Sequence, residues 1–212
     1  MGKPRSPKGR ARVTHERLAS EYPAACELEH RNPFELLVAT ILSAQCTDAR
    51  VNQTTPDLFA RFPDPESLAA ADLGEVEELV HPTGFYRSKA KNLVGMAQSL
   101  VADFEGEVPT SVKDLTSLAG VGRKTANVIR SVAFDLPGLP VDTHVKRLTN
   151  RLGITKQEDP VKIEMELNPM IPAAERGAFS LRLILHGRRV CRARKPACAE
   201  CVLNDFCPGS TL

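Results

Sequence analysis

Four of the six cysteines are concentrated near the end of the chain, in the segment CRARKPACAECVLNDFC. They follow the spacing Cys191-x6-Cys198-x2-Cys201-x5-Cys207. Four thiolates in such a short segment suit one tetrahedral zinc ion or a four-iron cluster. Zinc ribbons have two close cysteine pairs and this segment has one, but short four-cysteine zinc sites are the commoner class. The spacing alone therefore favours zinc slightly and leaves both metals open.

A second chemical motif is the glycine turn in DLTSLAGVGRKTANVIRSVAF, residues 114–134. Gly120 and Gly122 allow the tight turn between two helices that the flanking residues predict. Such a turn leaves backbone N–H groups at the positive end of the second helix, where a phosphate can bind without any base being read. A nucleotide-binding phosphate loop is excluded because Arg123 separates Gly122 from Lys124. A purely structural hairpin is an equally good interpretation of this stretch by itself.

Two ionisable residues near this turn are suited to covalent catalysis. Lys124 lies in the first turn of the second predicted helix, where the helix dipole disfavours a positive charge. The residue is therefore either a phosphate contact or an amine whose neutral, nucleophilic form is favoured. Asp142, in VDTHVKRL, is interpreted from its position alone as the cap of the helix that follows it.

The elements that must position these residues are helices throughout. NPFELLVATILSAQ begins with Asn32 as a cap, Pro33 at the first helical position and Glu35 three residues after the cap. Asp64 and Asp159 each precede a proline and repeat this start signal. Because apolar residues recur at helical spacing and no segment alternates like a strand, the sequence predicts an all-α fold. The apolar positions of the longest predicted helix are Leu93, Ala97, Leu100, Val101 and Phe104.

Charge is distributed unevenly over a chain of 212 residues whose net charge is only +2. Residues 57–78 carry seven acidic side chains, and residues 176–199 carry seven basic ones and no acid. The basic segment could attract phosphates, although a solvated face has the same pattern. With neither a secretory signal nor a membrane span, we expect a cytoplasmic protein with reduced thiols and no membrane partner. The isolated Cys26 and Cys46 are expected to be small buried residues.

Taken together, these segments resemble the endonuclease III DNA glycosylases of the helix–hairpin–helix superfamily. The resemblance covers nearly the whole chain after the N-terminal tail. It rests on the combination and order of six features, none of which is specific by itself. They are PFELLVATILSAQCTD, TGFYRSKAKN, LAGVGRKTA, VDTHV, LILHGR and the cysteine spacing.

The resemblance implies a [4Fe–4S] cluster with a structural rather than a catalytic role. The implied ligands are Cys191, Cys198, Cys201 and Cys207. It also implies that Arg192, Arg194 and Lys195 form a loop, held by the cluster, that grips the DNA backbone. A short loop fixed at both ends presents these charges with little conformational entropy left to lose. Gly120, Gly122 and Arg123 of the hairpin are the other implied backbone contacts.

The resemblance assigns catalysis to Lys124 as the nucleophile and Asp142 as the essential carboxylate. The implied mechanism is attack of the Lys124 amine on C1′ of a damaged nucleotide, expulsion of the base, and β-elimination from the resulting imine. Asp142 would help to activate the amine and stabilise positive charge that develops on the sugar. A polypeptide crossing near residue 137 is expected to bring the two residues to opposite walls of one cleft.

The family also implies two side chains that probe the DNA where the damaged base leaves the stack. Gln45, in LSAQ, is expected to fill the vacated space, with a polar helix end as the alternative. Phe85, in TGFY, stands where the family leads us to expect a leucine wedge, with a core aromatic as the alternative. An aromatic wedge can stack on a base instead of only displacing it. His144 and His186 match family positions and are expected to make structural contacts.

We therefore expect two helical domains and a monomeric base excision repair enzyme that acts on oxidised pyrimidines in duplex DNA and nicks abasic sites. The alternatives are a pyrimidine-dimer or mismatch glycosylase of the same fold, and a non-enzymatic DNA-binding module with a zinc site. The expected segments are a disordered basic tail over 1–14, a six-helix domain over 27–136 that contains the hairpin, and a cluster domain over 15–26 and 137–212.

Overall fold

In the computed structural model, which describes residues 3–212, the regular secondary structure consists entirely of helices. This confirms the all-α prediction. The chain forms two compact units, which we call the central unit, Cys26–Asp135, and the terminal unit, made of the residues up to Ala25 and Leu136–Leu212. The central unit is displaced by one residue from the expected 27–136, and the terminal unit includes residues before position 15 that were expected to form a separate tail. No helix in the described part of the chain has both the length and the hydrophobicity needed to cross a membrane.

The described residues form eleven α-helices joined by short connections. They are α1 Pro7–Glu21, α2 Pro33–Leu42, α3 Asp48–Arg61, α4 Pro65–Ala69, α5 Leu73–Val80, α6 Tyr86–Phe104, α7 Val112–Ser117, α8 Arg123–Ala133, α9 Thr143–Arg151, α10 Pro160–Leu167 and α11 Arg176–Arg189. The central unit thus has seven α-helices rather than the six expected. It has one more because Asp64 and Asp72 each cap a separate short helix, α4 and α5, by accepting a hydrogen bond from a backbone N–H three residues on.

Helix α2 forms the centre of the central unit because every residue from Phe34 to Leu42 is buried. Its start is the predicted one, since the Asn32 side chain accepts a hydrogen bond of 2.9 Å from the backbone N–H of Glu35. The predicted stripe of α6 is also confirmed in part. Its inner positions, Leu93 among them, are fully buried, whereas Val101 is 40% exposed on the outer side of the helix. Helices α7 and α8 form the predicted hairpin near this core.

The expectation of a disordered tail over 1–14 is wrong from Pro7 onward, where α1 begins; residues 1–2 lie outside the described part. Ser6 caps α1 by accepting from the N–H of Gly9, and Pro7 occupies the first helical position. The Arg10 guanidinium donates to the carbonyls of Leu152 and Phe206 at 2.9 and 3.3 Å. These contacts tie α1 to distant parts of the terminal unit, so its basic residues serve packing as well as solvation.

Candidate functional site

The turn between α7 and α8 has the tight geometry that its glycines predict. Gly120 has a φ of +76°, and a Cβ built there would lie 2.9 Å from the Cβ of Asn92. Only glycine fits such a position without strain or collision. The N–H of Val121 donates to the carbonyl of Leu118 at 3.1 Å, which closes the turn. The backbone of the hairpin is therefore fixed before any ligand binds.

Gly122 has a different role because its φ of −91° is open to any residue. It is the N-cap of α8, and no side chain caps this helix. A Cβ at Gly122 would meet no atom within 4 Å. The space in front of the first turn of α8 is thus open, and the positive end of the helix dipole faces it. This arrangement is suited to a phosphate oxygen.

Lys124 is the second residue of α8, and its side chain is exposed like that of Arg123 before it. The first turn of α8 contains no acidic residue. The helix start and both side chains therefore combine into a positively polarised surface. An amine in this position can contact a phosphate or act as a nucleophile on a group that binds to the hairpin.

Asp142 caps α9, as its position in the sequence predicts. Its Oδ1 atom accepts hydrogen bonds of 2.8 Å from the backbone N–H groups of both His144 and Val145. The residue is half-buried, and these two bonds use only one of its carboxylate oxygens. The cap fixes the direction of the carboxylate, a condition that an electrostatic role in catalysis also requires.

Arg147 and Arg151 of α9, which the sequence analysis did not single out, extend towards the cysteines. The Arg147 guanidinium donates to the carbonyls of Gly187 and Cys191, each at 3.0 Å, and lies 3.0 Å from Nδ1 of His144. Burial lowers the pKa of His144, and the charge of Asp142 opposes that effect. The expectation that His144 makes structural contacts agrees with this geometry.

The four C-terminal cysteines line one pocket of the terminal unit as free thiols. Burial raises the pKa of Cys201, and the charges of the other three thiolates raise it further. Burial likewise raises the pKa of Cys207. Four thiolates this close together require a positively charged centre to be ionised at once, so the donor set fits a metal group. Cys26 and Cys46 lie outside this pocket and are half-buried rather than buried as expected.

Neighbouring side chains orient two of these cysteines. Nη1 of Arg151 lies 3.4 Å from Sγ of Cys191, and Nε2 of His186 lies 3.3 Å from Sγ of Cys201. The other ring nitrogen of His186 is 3.1 Å from the hydroxyl of Tyr22. Burial lowers the pKa of His186 to about 4, so its imidazole is neutral at physiological pH. His186 thus makes the structural contact expected of it.

The segment between Cys191 and Cys198, which we call the basic loop, exposes Arg192, Arg194 and Lys195. Its backbone is held in place by Arg151, whose guanidinium donates to the carbonyls of Arg192 and Ala193 at 2.8 and 2.9 Å. The N–H of Ala197 donates to the carbonyl of Val190 at 3.0 Å and closes the loop. The terminal unit therefore exposes three cations on a loop whose backbone is held by these hydrogen bonds.

Gln45 and Phe85 share an uncommon backbone conformation in the central unit. Their φ angles are +53° and +49°, in the left-handed region that non-glycine residues seldom adopt. Both side chains are exposed, and that of Phe85 is 67% exposed, which rules out the core-aromatic alternative. Exposed side chains on strained turns are more typical of binding than of packing.

Two family models match the chain. Residues 38–173 match the HhH-GPD superfamily of base excision DNA repair proteins, and residues 191–207 match the iron–sulfur binding domain of endonuclease III. The second match begins and ends on the first and last of the four cysteines. The prediction of a [4Fe–4S] cluster is therefore confirmed.

Curated proteins and solved structures agree with these matches. Endonuclease III of Synechocystis is 54% identical over 191 residues, which cover 89% of this chain and 87% of that protein. A non-covalent endonuclease III–DNA complex superposes with a TM-score of 0.91 at 43% identity, covering 95% of both chains. A trapped covalent endonuclease III–DNA intermediate also has a TM-score of 0.91 at 43% identity, covering 95% of this chain and 96% of that one.

Proposed function

The chain belongs to the endonuclease III family of base excision DNA repair proteins, and we propose that Lys124 and Asp142 are its catalytic residues. The protein is a DNA glycosylase that also cleaves the abasic site, and DNA is its partner. The observation that carries the catalytic assignment is an exposed lysine at an uncapped helix start that is open to a phosphate. Such a lysine meets the damaged nucleotide at the point where the hairpin holds its backbone.

The proposed reaction begins when the lone pair of the Lys124 Nζ attacks C1′ of the damaged nucleotide. The bond between C1′ and the base nitrogen breaks, and the base leaves with the bonding electrons and takes up a proton. Opening of the sugar ring and loss of a proton from nitrogen give an imine between Nζ and C1′. Removal of a 2′ proton then breaks the C3′–O3′ bond, which nicks the strand 3′ to the lesion, and water hydrolyses the imine.

Asp142 is proposed to stabilise the positive charge that develops on the sugar as the base leaves. The carboxylate is oriented in advance by its two hydrogen bonds to the start of α9. An oriented charge needs no rearrangement during the reaction, which is the source of its effect. Asp142 is also proposed to help activate the amine as a nucleophile.

Binding to the DNA backbone is proposed to use two surfaces that read no base. The first is the hairpin, with Gly120, Gly122 and Arg123, and the second is the basic loop. When the [4Fe–4S] cluster is bound by its four cysteines, it supplies a covalent closure of that loop. The role of Arg151 is to hold the backbone of that loop through its two hydrogen bonds to carbonyl groups. Both surfaces contact phosphates, so affinity is expected to depend on salt rather than on sequence.

Gln45 and Phe85 are proposed to occupy the DNA stack when the damaged base is extruded. Gln45 fills the vacated space, and Phe85 stacks against the opposite strand. Both are exposed and lie on turns whose left-handed backbone is already formed. A preformed turn inserts its side chain without a further loss of backbone entropy.

We propose oxidised pyrimidines as the substrates, and duplexes that each carry one defined lesion are the test. Release of an oxidised pyrimidine, with a nick 3′ to the abasic site, is the expected result. Faster release of adenine from a mispair, or of a base from a pyrimidine dimer, would assign the protein to one of the alternative specificities. Since every group assigned above lies in one chain, we also propose that the protein works as a monomer, and sedimentation with and without DNA measures this. The proposed location of the protein is the cytoplasm.

Replacing Arg192, Arg194 and Lys195 together by alanine is expected to reduce the salt dependence of binding to undamaged duplex. Each lost phosphate contact lowers the slope of log K against log salt by ~0.9, so the triple variant is expected to lose up to ~2.7. Exposed Lys156 and Lys162 of the same unit supply the matched control, because they lie outside the loop. A slope that is unchanged in the triple variant would remove the basic loop from the DNA interface.

Arg151→Met separates the support of the basic loop from its charge. The variant loses the hydrogen bonds to the carbonyls of Arg192 and Ala193, together with the contact to Sγ of Cys191, but keeps the three exposed cations. We expect weaker binding at every salt concentration with an unchanged slope, because the looser loop loses entropy on binding while the number of phosphate contacts stays the same.

Phe85→Ala is expected to slow removal of an oxidised base by ~10-fold and to affect cleavage of a preformed abasic site much less. Stacking of an aromatic ring on a base is worth ~1–3 kcal/mol, and only the first substrate requires an intact base to be extruded. Phe85→Leu is the matched variant, since it keeps an apolar wedge without a ring. Equal losses on both substrates, with a lower melting temperature, would mean that Phe85 supports the fold instead.

A further inference from the structure

The central unit contains a buried cation that the proposed chemistry does not use. Lys89, in the second turn of α6, is only 4% exposed. Its ammonium donates to the backbone carbonyl of Thr83 at 2.8 Å. Burial lowers its pKa, and Cys46 partly offsets that effect. A buried charge to which no carboxylate of residues 3–212 is bonded destabilises a fold, so its presence calls for an explanation other than stability.

Lys89 contacts both ends of the turn that carries Phe85. Its side chain bonds to Thr83, while its backbone N–H donates to the carbonyl of Phe85 at 3.1 Å. Between these two anchors, Gly84 and Phe85 both have positive φ angles, of 70° and 49°. Thr83 is buried and is held from its other side by a hydrogen bond from its hydroxyl to the carbonyl of Val80. The two residues with positive φ thus lie in a turn that is held at Thr83 and at Phe85 by hydrogen bonds from Lys89.

We infer that Lys89 is a positioning residue that holds the Thr83–Phe85 turn in the conformation in which Phe85 enters the DNA stack. The inference rests on the proposed role of Phe85 in base extrusion. A charged hydrogen bond to the Thr83 carbonyl is stronger than a neutral one, and it resists the change of backbone angles that would relax residues 84 and 85. The cation acts on DNA only through Phe85 and touches no reacting atom.

Lys89→Met removes the charge and keeps an apolar stem of similar length. We expect removal of an oxidised pyrimidine, measured in single turnover, to fall by ~10-fold, while borohydride trapping on a preformed abasic site is retained. The melting temperature is expected to stay the same or rise, since an apolar side chain in this place avoids burying a charge. Lys91→Met on the exposed side of the same helix is the matched control. Lys89→Arg keeps a cationic donor and is expected to recover most of the lost rate.

A double-mutant cycle with Phe85→Ala decides how Lys89 acts. If the lysine works through the phenylalanine, Lys89→Met causes no further loss in the Phe85→Ala background. Losses that multiply in the double variant would overturn the inference, and so would an equal loss on both substrates with a lower melting temperature.

A binding measurement keeps this test independent of the proposed chemistry. The probe is a duplex with an uncleavable abasic analogue opposite the fluorescent base 2-aminopurine. Insertion of Phe85 next to that base is expected to change its fluorescence in the unmodified protein and in Lys91→Met, and to change it less in Phe85→Ala and Lys89→Met. A full response in Lys89→Met would overturn the inference. Failure of the unmodified protein to release any lesion, with these responses intact, would overturn only the proposed function.

Discussion

In Lys124→Ala, borohydride is expected to trap no covalent protein–DNA adduct on abasic-site duplex. Removal of an oxidised base is expected to fall by ~10³-fold or more, the range seen when an enzyme loses its covalent nucleophile. The imine between Nζ and C1′ is the species that borohydride reduces, and alanine cannot form it. The measurement is the amount of protein that remains attached to labelled DNA after denaturing electrophoresis.

Binding to abasic-site DNA is expected to change little in the same variant. Lys124 is exposed, so its removal leaves no cavity, and alanine is the best helix former for the first turn of α8. The hairpin backbone and the open space at Gly122 are unaffected. Lys113→Ala removes an exposed lysine from α7, the other helix of the hairpin, and is the matched control. Trapping that persists in Lys124→Ala would place the nucleophile elsewhere, and no trapping in the unmodified protein would indicate a glycosylase without lyase activity.

The parts of the candidate site that the sequence predicts are those in which the deciding contacts are local. The cap of α2 by Asn32 and the cap of α9 by Asp142 depend on backbone groups two or three residues away. The turn of the hairpin requires one glycine with a positive φ, and the four cysteines that line the pocket come from one short segment. Such features can be recognised from spacing because no distant residue has to be known.

The contacts that the sequence analysis missed join residues far apart in the chain. The side chains of Arg147 and Arg151 extend from α9 and donate to the backbone carbonyls of Cys191 and Arg192, about forty residues away in the sequence. An arginine whose partner is a carbonyl has no complementary charge in the sequence that would point to it. Their spacing of four residues, on one face of a helix, was the available signal. The Ser6–Pro7 start of α1 was a local signal that the basic composition of the tail obscured.

Side-chain exposure was the other property that spacing left undecided. Phenylalanine is a residue type usually found in cores, but Phe85 lies on a turn with a left-handed backbone and its side chain is exposed. Lys89 presents the opposite case, since it stands four residues before Leu93 and therefore in phase with the buried stripe of α6. A lysine at an apolar position of a helical pattern was thus a detectable sign of a buried cation.

Asp142→Asn is expected to slow base removal by ~10²–10³-fold, because a neutral amide cannot stabilise the positive charge that develops on the sugar. The change isolates that charge unusually well. Asparagine caps helices about as well as aspartate, and its side-chain oxygen can accept the same two hydrogen bonds from His144 and Val145. The melting temperature is therefore expected to stay within a few degrees of that of the unmodified protein.

Asp159→Asn supplies the matched control, since Asp159 caps α10 through the same kind of hydrogen bond to a backbone N–H. This variant is expected to remove bases at the normal rate. Asp142→Ala adds the loss of the cap, which costs about 1 kcal/mol of stability. If the carboxylate acts through its charge, Asp142→Asn and Asp142→Ala lose the same activity and differ only in stability. If it acts only as a cap, Asp142→Asn keeps full activity and Asp142→Ala alone is impaired.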